Sequence, residues 1–482
     1  MTILGVLEQL HPKKVFEYFE TLCQIPHGSY HCKAISDFCV QFAKDRNLSV
    51  YQDEFYNVVI RKEASPSYEN RPTLIFQGHL DMVCQKEPGY EIDFETEGLS
   101  LETDGEWVWA KGTTLGGDDG IAVAYGLAIL DDDSIKHPAL EVVFTTEEEV
   151  GMEGATGFDA SVLKGKYLIN ADSEDEGILL SACAGGTTIQ AEFPLEYEHR
   201  QQRLYEVSIL GLQGGHSGTE IDKNHGNAHK MMGQIVSSMP GISISRLWGA
   251  KEQKDNAIPY ECHCQFTVDR PEELGNKISI IEHEWKKQYQ LSEPDLLVEF
   301  QDLGIQEADF LTEEKNGQII RFLSQVKNGI YTMSRDIEGL VESSLNLGIL
   351  SMDQKTAVFS FGVRSCVAAK KEEIAESIQR LCEENHGIYH RANDYPAWEY
   401  RENSLLRDAF CRAYRELYGK EIKVEAIHAG LECGIFASKI QDLDIVSFGP
   451  DILDIHTVQE RMNVSSVKRT WELLLKIIEE FP

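Results

Sequence analysis

Positive charge is what this sequence has least of. Lysine and arginine number 45 against 80 aspartates and glutamates, a formal net charge of −35 over 482 residues. So acidic a chain repels phosphate backbones and anionic lipid, which argues against nucleic-acid and membrane partners. Long apolar runs are missing too, and no stretch approaches the roughly 18 continuous apolar residues that span a bilayer. The opening MTILGVLEQLHPKKVFEYFE has no basic start, apolar core or small-residue cleavage site, so no secretion signal is expected. The cysteines form no framework. Eleven of them, an odd number, are scattered from Cys23 to Cys433, which fits reduced, mostly buried thiols in the cytoplasm. Cys262-His263-Cys264 looks like a metal fragment, but no second cysteine pair stands at zinc-ribbon spacing, and ECHCQFTV alternates as a strand does. No proline- or glycine-rich linker marks a boundary. What remains is a 42% apolar chain, too apolar to be disordered and long enough, at roughly 150 residues per domain, for two to four domains.

The first ~185 residues alternate between two periodicities. VFEYFETLCQI (15–25), ISDFCVQFAKDRNL (35–48) and DGIAVAYGLAILDDD (119–133) have helical spacing, the last with acids at the end that a helix dipole favours. YNVVIRK, TLIFQGHL, ALEVVFTT and KYLINAD read as strands, giving an α/β layer with helices on both faces. From about 187 to 394 the rhythm changes. Strands at 204–212, 261–268 and 295–303, helices at 227–239, 273–290, 313–327 and 371–385, and a strand pair within 345–365 describe an α+β domain. It reads as one βαββαβ, ferredoxin-like unit and a second, less regular copy. A helix at 405–419, a strand within 442–450 and a helix at 465–481 return to the α/β style. The expected architecture is an α/β domain of mixed sheet and flanking helices, residues 1–186 and 395–482, interrupted by an inserted α+β domain, 187–394.

Chemistry-bearing residues collect at strand ends, where open α/β sheets bind ligands. TLIFQGHLD delivers His79 and Asp81, EVVFTTEEE delivers Glu147, Glu148 and Glu149, and YLINADSEDE delivers Asp172. WAKGTTLGGDDG sets Asp118 and Asp119 on a glycine-rich loop before a helix, and VSFGPDILDIH places His456 past a late strand. Singly these are turn residues, caps or solvated acids. Together, at one sheet edge, they would repel without a cation, and a mixed imidazole and carboxylate set suits Zn²⁺, with Mn²⁺ or Co²⁺ as substitutes. Residues i and i+2 of an extended segment point the same way, so Asp81 is placed to brace the His79 imidazole. Glu148 and Glu149 point apart, leaving one free as a general base.

GHLDMV, GTTLGGDDG, TEEEVGMEGA, NADSEDEG, GGHSG and the late His456 resemble, in order and spacing, the dinuclear zinc peptidases that include aminoacylase, glutamate carboxypeptidase and bacterial dipeptidases. GTTLGGDDGIAVA, SACAGG, GLQGGHSG and HAGLECGIF are most similar to the Xaa-His (aminoacyl-histidine) dipeptidase subgroup. The likeness spans nearly the whole chain and is weakest at 270–340. It implies a metallopeptidase catalytic domain with an inserted lid, and two zinc ions bridged by Asp118. One ion would add His79 and Asp172, the other Glu149 and His456. Glu148 would be the general base and Asp81 the orienting residue, with Glu147 a bystander. The resemblance further implies a cis peptide at Asp118–Asp119, and position 119 departs from it, holding Asp where close relatives often carry Asn. In the lid, His216 would stabilise the oxyanion, Arg364 would clamp the substrate carboxylate, and Gly430 would touch substrate through its backbone. His428 is left unassigned.

The reaction so implied is metal-dependent hydrolysis of small peptides, preferentially Xaa-His dipeptides, in the cytoplasm. A broad-specificity dipeptidase and an N-acyl-amino-acid deacylase share the metal site and stay open, as does a metal-free peptide-binding scaffold. A phosphate loop at TLGGDDG is excluded by the missing Lys and Ser/Thr and by the paired acids. Either a monomer or a homodimer fits, since an insert of about 200 residues, roughly twice one βαββαβ unit, has room to supply His216 within one chain.

Overall fold

The computed structural model describes residues 5–335, 337 and 339–481. The chain forms two compact units. One comprises Met1–Ala182, Tyr400–Ala426 and Leu431–Pro482, and the other Cys183–Glu399 with Ile427–Gly430. The sequence pattern puts the breaks at 186/187 and 394/395 and gives no sign that four residues around His428 leave the first unit for the second.

The first unit is built on an eight-stranded mixed sheet. Its order is Ser49–Gln52, Val58–Lys62, Leu140–Thr145, Leu74–His79, Tyr167–Asn170, Asp444–Ser447, Ile178–Cys183, Lys423–Ile427. The four strands from Leu140–Thr145 to Asp444–Ser447 run parallel, while Ser49–Gln52 with Val58–Lys62, Val58–Lys62 with Leu140–Thr145, and Asp444–Ser447 with Ile178–Cys183 pair antiparallel. LEVVFT and LIFQGH are buried at every position, as near-continuous apolar strands covered on both faces must be. The helix Gly117–Asp131 has no polar face, and every residue from Ile121 to Leu130 is buried. It packs on Lys13–Cys23 and on the strand Leu74–His79. The Tyr125 ring stacks on Trp471 of the closing helix Val464–Glu480 at 5.7 Å, and its hydroxyl donates to the Val467 carbonyl at 3.0 Å. Gly126 allows close approach to the sheet, since a Cβ there would lie 2.9 Å from the Phe144 ring. At the helix entrance Asp118 and Asp119 are themselves not helical, and the peptide between them is cis.

The second unit carries two larger antiparallel sheets. The four-stranded one runs Ser243–Gly249, Cys262–Thr267, Tyr197–Leu210, Leu297–Leu311. The five-stranded one runs Gly329–Met333, Val341–Met352, Thr356–Ser365, Gly185–Pro194, Ile388–Tyr395. Phe193, Phe322 and Phe359 meet in its core with ring centroids 4.8 to 5.8 Å apart. Cys262 and Cys264 are buried in a central strand while His263 stacks on Trp248 at 5.1 Å, so this Cys-His-Cys run is sheet and not a metal site. Two strands are much longer than the pattern predicts. Tyr197–Leu210 pairs with Leu297–Leu311 along its whole length, and its early half is mostly exposed, so no in–out alternation announces it. Among the described residues no helix is long and apolar enough to cross a membrane.

Candidate metal centre

Three parallel strands end together. His79 stands opposite Thr145, and Gln77 stands opposite Asn170, so the segments that follow, with Asp81, Glu147–Glu149 and Asp172, leave the sheet at one edge. His456 arrives separately. Ile452–Leu453 pairs with Arg461–Asn463, and the loop between them carries His456 in a left-handed conformation, φ 61°. Arg461–Asn463 also pairs with Trp107–Ala110, the strand leading into the glycine-rich loop of Asp118. Backbone pairing thus ties the His456 loop to the Asp118 loop.

The side chains converge accordingly. His79 Nε2 lies 3.1 Å from Asp118 Oδ1 and 3.5 Å from Asp172 Oδ1. His456 Nε2 lies 3.2 Å from Asp118 Oδ2 and 2.9 Å from Glu149 Oε2. Asp118 therefore turns one oxygen to each histidine. His79 Nδ1 lies 3.0 Å from the Asp81 carbonyl, which can only accept, so Nδ1 carries the proton and Nε2 is left for a ligand.

The Asp81 carboxylate reaches both His79 and the glutamate segment. Its Oδ1 is 3.5 Å from His79 Nδ1, while the carboxylate accepts the Glu148 N–H at 3.0 Å, the Glu149 N–H at 3.3 Å and the Ser29 hydroxyl at 2.9 Å. Asp81 thus pins the glutamate segment. Glu147 points away and accepts the Tyr30 N–H at 2.5 Å.

The electrostatics call for cations. Five carboxylates, Asp118, Asp119, Glu148, Glu149 and Asp172, face two imidazoles. Burial and the charge of Asp172 hold the Glu148 carboxyl well above its ordinary range, and burial pushes Asp172 up to about 6 against the pull of His79. At Asp118 burial is outweighed by hydrogen bonds from His456 and His79, which hold it below the carboxylate range. Hydrogen bonds to Asp118 and Glu149 lift His456 to about 11. Ligand atoms of His79, Asp118 and Glu149 all lie within 4.8 Å of one another, as do those of His79, Asp119 and Asp172. Glu149 Oε1 is buried without a partner. Imidazole and carboxylate donors, excess negative charge and an orphaned oxygen fit divalent metal.

Sequence reasoning placed Asp119 on the loop without giving it a role, and it missed three further acids, Glu174, Glu460 and Glu432. Asp119 lies within reach of His79 and Asp172, and its Oδ2 accepts the His79 N–H at 3.1 Å. Glu174 is pushed up to about 8 by burial and by the charges of Asp118 and Asp172. The Glu460 carboxylate accepts N–H groups from Leu115, Gly116, Gly117 and Asp118, at 2.8 to 3.4 Å. Glu432 is fully buried beneath the strand ends, where one oxygen accepts from Gln77 Nε2 and the Thr145 hydroxyl, both at 2.6 Å. Glu432 stood within the quoted HAGLECG run, whereas nothing local marks Glu460.

The remaining candidates belong to the second unit. His216 Nδ1 accepts the Thr219 N–H at 3.2 Å, which leaves the proton of the neutral ring on Nε2, and burial, with Arg364 nearby, holds the ring's pKa below its ordinary value. Arg364 donates to the Tyr395 hydroxyl at 3.0 Å. Gly430 packs on Tyr395, where a Cβ would come within 2.8 Å of the ring. His428 Nε2 lies 2.7 Å from the Ser344 hydroxyl, and its Nδ1 is buried without a partner.

Comparison with known proteins gives the family. The model of peptidase family M20/M25/M40 matches residues 75–480. The chain is 33% identical over 484 residues to the cytosol non-specific dipeptidase of Escherichia coli K12, covering 99% of this chain and 100% of that one. The crystal structure of aminoacylhistidine dipeptidase from Vibrio alginolyticus matches with a TM-score of 0.93 at 31% identity, over 99% of this chain and 98% of that one. Aminopeptidase PepT from Bacillus cereus shares the fold at a TM-score of 0.56 and 16% identity, over 98% and 99% of the two chains.

Proposed function

The chain belongs to peptidase family M20/M25/M40, and from that premise we propose that it hydrolyses dipeptides with a free C-terminus, Xaa-His among them, in the cytoplasm. The observation that carries the reading is Asp118, with one carboxylate oxygen facing His79 and the other facing His456. Asp118 would bridge two ions, His79 and Asp172 completing one and Glu149 and His456 the other, and zinc is the metal that such donors suit. Bound there, two divalent ions would supply Lewis-acid activation of water and of the scissile carbonyl.

The chain's own groups do the rest. Glu148, adjacent to a ligand and held by the Asp81 carboxylate through its N–H, takes the proton of the attacking water and returns it to the leaving amine. His216 Nε2–H donates to the oxyanion as charge develops. Arg364 receives the substrate carboxylate with its planar fork of donors, and Gly430 offers backbone where a side chain would collide. Asp81 and Asp119 fix the His79 segment and the loops around it.

The test is turnover of carnosine, Gly-His, Ala-His, Ala-Ala, Gly-Leu and N-acetyl amino acids by metal-stripped protein, with and without Zn²⁺, beside Glu148→Ala. Zinc-restored cleavage of dipeptides, lost in the variant, is expected. Cleavage of the acetylated compounds alone would move the assignment to the deacylases, and metal-independent turnover would overturn the mechanism.

A further inference from the structure

Two opposite charges share one cavity of the second unit without neutralising each other. The cavity, about 200 Å³, is lined by Arg364, Tyr395, Asp255, Thr188, Ser217 and Asn256 among others. Its floor is one face of the five-stranded sheet. In the antiparallel register Thr188 stands opposite Gly362 and Gly186 opposite Arg364, so the Thr188 and Arg364 side chains rise on the same face. The two glycines let Asp255 and Tyr395 lie close against that floor. A Cβ at Gly362 would meet the Asp255 carbonyl at 3.0 Å, and one at Gly186 would meet the Tyr395 ring at 2.4 Å.

Each charge is oriented by a neutral partner. Arg364 Nη1 donates to the Tyr395 hydroxyl at 3.0 Å, and Asp255 Oδ2 accepts the Thr188 hydroxyl at 2.8 Å. The Asp255 backbone is held as well, its carbonyl accepting Asn346 Nδ2 at 3.2 Å. Among the described residues neither Arg364 nor Asp255 forms an ion pair. A guanidinium and a carboxylate held apart in this way complement a ligand carrying both charges in reverse. Arg364 suits a carboxylate, and Asp255 suits a cationic group or an N–H donor on the same small molecule.

We propose that Asp255 is the specificity-determining residue of this cavity. With Arg364 on the carboxylate of a C-terminal residue, Asp255 selects a side chain that is cationic or donates a ring N–H. The substrate class is then dipeptides ending in His, Lys or Arg, and acidic C-terminal residues are rejected by like charge. This rests on the dipeptidase reading above, and the test separates the two.

Binding is measured by calorimetry at pH 6.0, in the Glu148→Gln background so that nothing turns over. The probes are the Nα-acetyl derivatives of L-histidine, L-lysine, L-leucine and L-glutamate. The histidine and lysine probes should bind about tenfold more tightly than the leucine probe, with glutamate weakest. Asp255→Asn should remove that margin. Asp255→Lys should reverse the order in favour of glutamate, a gain that a misfolded variant would not produce. Equal affinities, no binding of any probe, or a margin that survives Asp255→Asn overturns the inference. If the margin is found while the enzyme with Glu148 intact cleaves no dipeptide, the cavity's selectivity stands and the dipeptidase reading falls.

Discussion

Glu460 shows how much a centre depends on a residue that binds no ligand. Its carboxylate collects four consecutive backbone N–H groups, Leu115 to Asp118, and so fixes the loop that aims both oxygens of Asp118. In Glu460→Gln an amide N–H₂ would face some of these donors and leave them unpaired. Metal affinity should fall about 10- to 100-fold, the usual cost of removing a ligand's support, as read by competition with a chromogenic chelator. Glu148→Gln should behave oppositely, keeping metal affinity while kcat drops by about 10²–10⁴, the range for a general base. Glu432 gives a pH signature. Burial pushes its carboxyl from 4.5 up to about 8, so the folded chain holds a proton there that the unfolded chain releases above 4.5. Its contribution is present below pH ~4.5 and is lost as pH rises toward 8. Thermal unfolding from pH 5 to 8 should therefore fall less steeply in Glu432→Gln, whose neutral side chain has no proton to lose. An unchanged slope would remove Glu432 from the account.

At the scale of elements, legibility followed burial. The strands LIFQGH and LEVVFT and the helix around IAVAYGLAIL could be read because their apolar runs are continuous, and they carry the site to one edge. The expected helix at 35–48 ends at Asp45, and that at 119–133 covers Gly117–Asp131, small shifts at frayed ends. Ile388–Tyr395 and the early half of Tyr197–Leu210 escaped because they are largely exposed and present no alternation. The centre divided the same way. His79, Asp172, His456 and the Glu147–Glu149 run stood out at strand ends and Asp118 on its glycine-rich loop, with Glu149 chosen from the three by the family resemblance, whereas the contacts of Glu460 with residues 115–118 span more than 340 positions and have no local pattern. The helix–sheet contact at Gly126 can be probed directly. Gly126→Val would drive methyl groups into Phe144 and Val142, and overpacking of this kind costs about 1–3 kcal/mol, visible as a lowered urea midpoint with unchanged m-value.

The whole molecule has two separate cores. One gathers residues from Leu7 to Leu179 with Leu406 to Phe481, and the other runs from Ile189 to Cys382. All five proposed metal ligands, with Glu148, Asp81, Glu432 and Glu460, belong to the first unit, while Arg364 and Asp255 belong to the second. A ligand that binds only the folded form stabilises what it binds, by about 2.7 kcal/mol at a hundred times its Kd. Adding Zn²⁺ to the stripped protein should therefore raise the calorimetric transition of the first unit, where metal also relieves repulsion among five carboxylates. An Nα-acetyl amino acid held by Arg364 should raise that of the second. Glu460→Gln should reduce only the metal-dependent shift, and Arg364→Gln only the amino-acid-dependent one. A single transition moved equally by either ligand would mean that the two cores unfold as one cooperative body. The two binding energies would then be pooled, and the metal centre could be weakened by substitutions as remote in sequence as Phe359→Ala.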